Sequence, residues 1–485
     1  MEVTGSGHRV HSPTEVTAPP AEGKGMSLPL PTPAMPAGYV QEECFVGGTA
    51  TRFDAIDVPD DGFWRVKPGA EAEYRTRVVV RRPADTAAFS GTVVLEWFNV
   101  SAIEAAPDWT YLYEEIAREG HAYIGVSAQR QGVEGGDTLL EVDVDPDAAS
   151  RAGVSAVDNS GLKNIDRERY GTLVHPGDAY AFDVFSQVGR AVTESPSALL
   201  GPLVPTQVLA IGESQSAIFL TTLVNAVHPM HPTFDGFLIH SRGADAAPLD
   251  GRLFTGAADQ SVNRFRHPVR IRTDVDVPVL IFEAETDLTV LGYANARQPD
   301  TAMVRTWEVA GTAHADAHVI RTLLGGARDA DVGAVLGCPG PINAGPHHEV
   351  VQAALHHLVR WAAGGAAPPA GRAIEMDGDE IVRDRLGIAV GGIRNPLVDV
   401  PTAAYTGDPP DGVTLDDIAA GGIAVLFGQT LTFDQATLLD IHGSFDDYLA
   451  RFEESVAAAV AAGFLLEPDA AALVAEAEAN RDLFG

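Results

Sequence analysis

The chain contains a serine, an aspartate and a histidine in an order that suits catalysis by a serine hydroxyl. Ser214 lies in the segment 212–216, which has the sequence GESQS, and Asp287 and His314 follow later in the chain. A serine hydroxyl becomes a strong nucleophile when a histidine accepts its proton, and a carboxylate must fix the tautomer of that histidine. The three residues therefore predict a Ser–His–Asp triad with Ser214 as the nucleophile.

The residues around Ser214 also predict how the serine is presented. Residues 208–219 form an apolar run, a segment of small residues and then a helical pattern, which is the strand–turn–helix layout of a nucleophile elbow. Small residues must flank the serine because the two backbones approach closely there. Gly212 meets this requirement, whereas Ser216 stands where the usual motif has glycine. The alternative interpretation is a turn serine that caps the following helix.

The acid and the base each have competitors nearby in the sequence. Glu283 and Glu285 lie at the same predicted strand end as Asp287 and are alternative acids. His318 follows one helical turn after His314 and is an alternative base. Asp287 and His314 are preferred because each follows a predicted strand in the chain order serine, acid, histidine.

A metal site is the main chemical alternative. The alternating side chains of His314, Asp316 and His318 match a pattern that can converge on zinc or another divalent ion, and the histidine pairs at 347–348 and 356–357 are candidate further ligands. No cysteine or Glu-x-x-His signature accompanies them. We therefore expect no metal and no cofactor, and a metal-dependent hydrolase that uses this cluster stays the alternative.

Catalysis of this type also needs backbone N–H groups aimed at the negative charge that develops on the substrate oxygen. The residue after the nucleophile, Gln215, supplies one donor in a nucleophile elbow. A second donor comes from the loop after an earlier strand, where Asn99 and Val100 are the candidates. Three aromatic residues are candidates for the wall of a substrate pocket, with core packing as the other interpretation: Trp97, Phe98 and Trp109.

The elements that must position these residues follow an alternating pattern of strands and helices. Short β-branched or apolar runs alternate with helical runs between about residues 75 and 310, which predicts an α/β fold with a mostly parallel central sheet and helices on both faces. Several runs are continuously apolar, as strands buried on both faces require. The predicted strands are 77–81, 92–98, 122–126, 207–211, 236–240, 277–282 and 305–309.

The remaining segments predict the domain organisation. Residues 1–38 are rich in Pro, Gly and Thr and are predicted to be a disordered leader, and residues 39–370 are predicted to form the catalytic domain. The segments at about 127–177 and 241–276 are too long for ordinary connections and predict inserted lids or pocket walls. Residues 371–485 contain two Ala-rich helical patterns and predict a largely helical cap region packed on the catalytic domain.

Composition and charge exclude several classes of function. With 33 Lys and Arg against 67 Asp and Glu, the net charge of −34 repels a phosphate backbone, so nucleic acid is not an expected partner. No apolar run reaches the roughly 20 residues of a membrane helix, and no secretory signal is recognised, so we expect no membrane contact and a cytoplasmic location. Cys44 and Cys338 are expected to stay reduced there, and the oligomeric state is left open.

Several longer blocks of the sequence carry a family resemblance. The blocks are 96–101 (EWFNVS), 126–129 (VSAQ), 169–178 (RYGTLVHPGD), 212–216 (GESQS), 285–287 (ETD), 307–316 (WEVAGTAHAD) and 392–396 (GIRNP). In these blocks the chain resembles the poorly characterised bacterial alpha/beta hydrolase domain proteins, from about residue 39 to the C-terminus. The resemblance implies an α/β-hydrolase fold and a serine hydrolase mechanism, and it implies little about the substrate.

The sequence as a whole predicts a serine hydrolase that cleaves a small-molecule carboxylic ester or lactone through an acyl-enzyme intermediate. An acyltransferase with the same triad is an alternative, because an alcohol or an amine can intercept the same intermediate. A protein that only binds ligands on a hydrolase scaffold is a further alternative. It is disfavoured because all three triad positions are filled.

Overall fold

The computed structural model describes residues 11–23, 32–136, 161–253, 268–323, 333, 336, 338–410, 412–413 and 422–485. Its central feature is a nine-stranded sheet, and two small two-stranded sheets follow later in the chain. The strands are β1 (Glu15–Thr17), β2 (Tyr39–Asp57), β3 (Arg65–Pro83), β4 (Thr92–Trp97), β5 (Ala122–Val126), β6 (Gln207–Glu213), β7 (Gly236–His240), β8 (Val279–Ala284), β9 (Val304–Val309), β10 (Met376–Asp377), β11 (Glu380–Ile381), β12 (Ala403–Thr406) and β13 (Gln429–Thr432).

The large sheet has an antiparallel edge and a parallel body. Its strand order is β1-β2-β3-β5-β4-β6-β7-β8-β9. The pairings from β1 to β5 are antiparallel, and all pairings from β5 to β9 are parallel. Each of the seven predicted strands overlaps an observed strand, so the predicted mostly parallel sheet is confirmed. Because the parallel strands run the same way, the loops that follow β4, β6, β8 and β9 meet at one edge of the sheet.

Helices cover both faces of the sheet, as predicted. Trp109 and Leu355 belong to the hydrophobic cluster on one face, and Phe185 and Phe219 belong to the cluster on the other. No helix among the described residues is both long enough and apolar enough to cross a membrane. The helices are α1 (Pro107–Arg118), α2 (Arg130–Glu134), α3 (Leu162–Ile165), α4 (Arg167–Tyr170), α5 (Ala181–Glu194), α6 (Ser197–Leu200), α7 (Gln215–Thr222), α8 (Glu285–Thr289), α9 (Ala317–Leu323), α10 (His347–Ala362), α11 (Pro396–Asp399), α12 (Gln435–His442), α13 (Phe445–Ala462) and α14 (Glu467–Ala479).

Part of the predicted leader is structured. β1 pairs antiparallel with β2, with Val16 opposite Val46. Arg190 in α5 donates two hydrogen bonds to the backbone oxygen of His11. These bonds satisfy backbone groups that a disordered segment would leave to water. The prediction of disorder is therefore wrong around β1, and residues 1–10 and 24–31 lie outside the described residues.

The C-terminal region is more mixed than predicted. Helices dominate only its last part, where α12, α13 and α14 share a small hydrophobic core. The stretch from 371 to 432 contains four short strands and α11, which are too short to give a periodic signal in the sequence. This stretch packs on the large sheet, because Ile393 exchanges backbone hydrogen bonds with Glu308 and Ala310 at the end of β9.

Candidate active site

Ser214 lies at the sharp turn between β6 and α7. Its backbone φ is +60°, a conformation that a residue with a side chain rarely adopts and that projects the hydroxyl out of the turn. A Cβ atom added to Gly212 would lie 2.9 Å from Cβ of Ser216, so only glycine lets the strand and the helix approach this closely. The structure therefore contains the strand–turn–helix layout that the sequence predicts, with Ser214 partly exposed.

The three residues of the predicted triad form one chain of hydrogen bonds. Oγ of Ser214 lies 2.8 Å from Nε2 of His314, and Nδ1 of His314 lies 2.6 Å from Oδ1 of Asp287. His314 is nearly buried and Asp287 is fully buried. When the carboxylate accepts a hydrogen bond from the Nδ1–H group, Nε2 of the neutral ring has no proton and can accept the proton of the serine. The arrangement can thus turn Ser214 into a nucleophile.

The surroundings of His314 suit a base. Burial lowers the pKa of the imidazole, but the charge and the hydrogen bond of Asp287 outweigh burial and raise the pKa above its ordinary value. A base with a raised pKa accepts the proton of Ser214 more readily. The backbone N–H of Ala284 donates to Oδ2 of Asp287 at 2.6 Å and fixes this carboxylate at the end of β8.

The alternative acid, Glu285, has a different set of partners. Its carboxylate accepts the backbone N–H of Gly311 at 2.6 Å and that of Gly407 at 3.0 Å. It also forms an ion pair with Arg383 at 2.9 Å. Glu285 therefore joins the loop after β9 to the C-terminal region and does not occupy the acid position beside His314.

Glu213, the residue before the serine, is a further candidate site residue that was not predicted from the sequence. Its Oε1 lies 3.4 Å from Nε2 of His314, and its Oε2 accepts a hydrogen bond from Nδ2 of Asn99 at 3.2 Å. Burial raises the pKa of its carboxyl group to about 8. No signal in the sequence predicts this contact, because it depends on how β6 and β9 are arranged in the sheet.

The candidate oxyanion donors differ in their partners. Gln215 is the first residue of α7, so its backbone N–H has no acceptor within the helix. The backbone N–H of Val100 points towards the same residue and donates to Oε1 of Gln215 at 3.3 Å. The backbone N–H of Asn99 donates to the oxygen of Ala105 at 3.1 Å. Val100 therefore fits the second donor position, and the Asn99 N–H is already engaged.

A second buried chain of side chains joins the loops that carry Ser214 and His314. Oδ1 of Asp108 lies 2.7 Å from Nδ1 of His240, and Nε2 of His240 lies 2.6 Å from Nε2 of His347. Nδ1 of His347 lies 2.9 Å from the backbone oxygen of Ala313. The backbone oxygen of His240 in turn accepts the N–H of Ser214 at 2.9 Å. These hydrogen bonds thus hold the backbone beside His314 and the backbone of Ser214, the two residues between which the proton would move.

The protons in this buried chain can be assigned from the acceptors. A backbone oxygen only accepts, so Nδ1 of His347 must carry a proton, and its Nε2 must accept from His240 when the ring is neutral. Burial lowers the pKa of both imidazoles to about 3, which keeps the rings neutral. His347 was a candidate metal ligand in the sequence, and its position in this chain gives it a structural role instead.

The side chains of the alternative metal cluster do not converge. His314 faces Asp287 and Ser214, whereas Oδ1 of Asp316 accepts the hydroxyl of Tyr111 at 3.2 Å. Nε2 of His318 lies 3.3 Å from the backbone oxygen of Thr110. Each side chain is therefore aimed at a different partner. Within the described parts of the chain, the ligand atoms of one other group lie close enough to hold a metal ion: Glu115, Glu119 and His356.

A cleft of about 880 Å³, part of it open to solvent, ends at Ser214 and His314. Its walls come from the loop between β4 and α1, from α9, from Leu336 and from residues 423–427. None of the described residues of the two predicted insertions lines the cleft, so the described parts of the insertions do not form its walls. The rest of the insertions, residues 137–160 and 254–267, lies outside the described structure. The aromatic residues predicted as walls are wholly buried in the two core clusters instead: Trp97, Phe98 and Trp109.

One family model and several solved structures are similar to this chain. The family model described as alpha/beta hydrolase domain matches residues 10–475. No curated protein sequence gives a match. Similar solved structures include acetyl xylan esterase 1 from Thermoanaerobacterium sp., with 12% identity over 54% of this chain and 80% of that chain and a TM-score of 0.27. A serine hydrolase without a lid from Xanthomonas campestris has 11% identity over 61% and 92% of the two chains and a TM-score of 0.28.

A thermostable esterase from Pseudomonas putida has 10% identity over 54% of this chain and 73% of its own, with a TM-score of 0.25. Unlike these structures, the family model matches nearly the whole chain, including the sheet, the elbow and the C-terminal region. The chain therefore belongs to the alpha/beta hydrolase domain family.

Proposed function

We propose that the protein is a serine esterase that acts on a carboxylic ester or lactone. Oγ of Ser214 bonds to the carbonyl carbon while His314 accepts the serine proton. The bond from that carbon to the leaving oxygen then breaks, and His314 returns the proton to the alcohol. Water attacks the acyl-enzyme by the same route and releases the acid. The observation that carries this proposal is the hydrogen-bonded chain from Ser214 through His314 to Asp287 at the end of a cleft.

The negative charge on the substrate oxygen needs donors that are already in place. We assign this role to the backbone N–H groups of Val100 and Gln215. The bond from Val100 to the Gln215 side chain is long, at 3.3 Å, so a substrate oxygen can replace that side chain at little cost. The neutral ring of His314 is the active form, so the rate falls as the pH drops through its raised pKa.

A matched pair of serine variants tests the proposal. Ser214→Ala removes the nucleophile, and we expect hydrolysis of p-nitrophenyl butyrate to fall by at least about 1,000-fold. Ser216→Ala makes the same chemical change two positions away at a buried hydroxyl and should keep the native rate. A fluorophosphonate probe should label the native protein at Ser214 alone. A Ser214→Ala protein that hydrolyses the ester as fast as the control would refute the proposal.

The same assay separates hydrolysis from acyl transfer. With a competing alcohol present, a hydrolase gives mainly the free acid, and an acyltransferase gives mainly the new ester. We expect the free acid, because the proposal assigns water to the second step.

A further inference from the structure

The cleft beside Ser214 is apolar in a way that restricts the substrate. Its first wall is the loop between β4 and α1, which contributes Ala102 and Ile103. Its second wall is α9, which contributes Val319 and Ile320. The C-terminal region contributes Ile423, Leu426 and Phe427 to the cleft. An apolar surface of this kind stabilises apolar groups and makes no hydrogen bonds to polar ones.

The described part of the cleft also lacks charged groups that could bind an ionic substrate. Among the described residues that line it, none is a lysine or an arginine, so no cation is present to pair with an acidic substrate. Its ionisable members are Glu213, His314 and Tyr111. Burial raises the pKa of Glu213 to about 8 and raises the pKa of Tyr111 as well, so both are uncharged at neutral pH. A cationic substrate therefore also lacks a charged partner.

We propose that the natural substrate class is esters whose group next to the scissile bond is uncharged and aliphatic, and that residues 423–427 together with Ala102 set the length of that group. The inference rests on the proposed esterase function. The cleft, about 880 Å³ when the space that is open to solvent is included, has room for a chain of several carbons. The aliphatic chain belongs to either the acyl or the alcohol part of the ester, and two substrate series distinguish the two.

The first series varies the acyl chain of p-nitrophenyl esters from acetate through butyrate to hexanoate. The second varies the alcohol of acetate esters from ethyl through butyl to hexyl. On the side that enters the cleft, kcat/KM should rise by about fourfold for each added methylene, the value expected for full burial. The p-nitrophenyl hemisuccinate, with an ionised carboxylate at its end, should be at least about 100-fold poorer than the butyrate.

Two variants connect the preference to the cleft. Ile423→Ala removes a partly buried wall residue, and Ala102→Leu fills part of the space. Each should lower kcat/KM for the longest substrate by about tenfold and leave that for the acetate within about twofold. Leu439→Ala shortens an exposed leucine of the same C-terminal region and should change neither value.

The outcomes separate this inference from the proposed function. A protein that labels at Ser214 with the fluorophosphonate, yet shows a flat response in both series or prefers the hemisuccinate, would overturn the substrate class and leave the esterase proposal standing. Failure of labelling together with absence of hydrolysis would overturn both. Equal loss of long-chain activity in Leu439→Ala and Ile423→Ala would refute the assignment of length selection to the cleft.

Discussion

Replacing Glu213 with glutamine tests the electrostatics of the candidate site through folding stability. Glu213 is 6% exposed, and burial raises the pKa of its carboxyl group from 4.5 to about 8. Between these two pH values the unfolded chain releases the proton while the folded chain keeps it. The folded state is therefore increasingly disfavoured as the pH rises through this window.

The size of the effect follows from the same two values. Stability changes by about 1.4 kcal/mol for each pH unit in which only one state is ionised. Between pH 5 and pH 7, the contribution of Glu213 to the free energy of unfolding thus falls by about 2 to 3 kcal/mol. Glutamine cannot ionise, and its side-chain oxygen can still accept the hydrogen bond from Asn99. The free energy of unfolding of Glu213→Gln, relative to that of the native protein, should therefore rise by about 2 to 3 kcal/mol between pH 5 and pH 7.

Urea unfolding at pH 5, 6 and 7 and constant ionic strength measures the difference. Glu454→Gln makes the same change at an exposed position of α13 and serves as the control. We expect the unfolding free energy of Glu213→Gln, relative to the native protein, to grow across the three pH values and that of Glu454→Gln to stay flat. Parallel curves for Glu213→Gln and the native protein would show that the carboxyl group ionises as easily in the folded chain, which refutes the reasoning.

Three further predictions follow from the site. The acid limb of the kcat/KM profile should have its midpoint above pH 6.5, because the pKa of His314 is raised, and a rate that stays level down to pH 4 would contradict the role of His314 as base. Asp287→Asn should lower kcat by about 10⁴-fold with a native circular dichroism spectrum, because the imidazole loses its fixed tautomer. His347→Phe keeps a ring against Tyr111 but leaves the backbone oxygen of Ala313 without its donor. Urea unfolding should therefore show that the free energy of unfolding falls by about 1–3 kcal/mol. Steady-state kinetics should show that kcat falls by a larger factor than KM rises.

Local patterns made the sheet and the elbow predictable from the sequence. A strand buried on both faces is an uninterrupted apolar run, and Gly212 marks the one turn where strand and helix must touch. The order of Ser214, Asp287 and His314 then followed from the strands that precede them. Each of these features is a strand together with the few residues directly after it, which lie close together in the chain and therefore give a local pattern.

Contacts between distant residues were not predictable in this way. The contact between Glu213 and His314 depends on how β6 and β9 are arranged across the sheet, and the bond between His240 and His347 depends on where α10 begins. Hydropathy could not tell a core aromatic from a wall aromatic, since both are apolar. Trp97 is buried because α5 and α7 cover its face of the sheet, where its ring packs 4.9 Å from that of Phe185.

The C-terminal region is part of the candidate site rather than an attachment to it. Glu285 is fully buried, and its carboxylate is balanced by Arg383 and the N–H of Gly407, both of which come from beyond residue 370. Removing that region would take away two of the partners of this carboxylate, which lies next to the loop that carries His314. It would also remove Phe427 from the cleft. The boundary predicted at 370 divides the sequence by composition, but the hydrogen bonds that support His314 cross it, so the two parts act as one unit in any chemistry at Ser214.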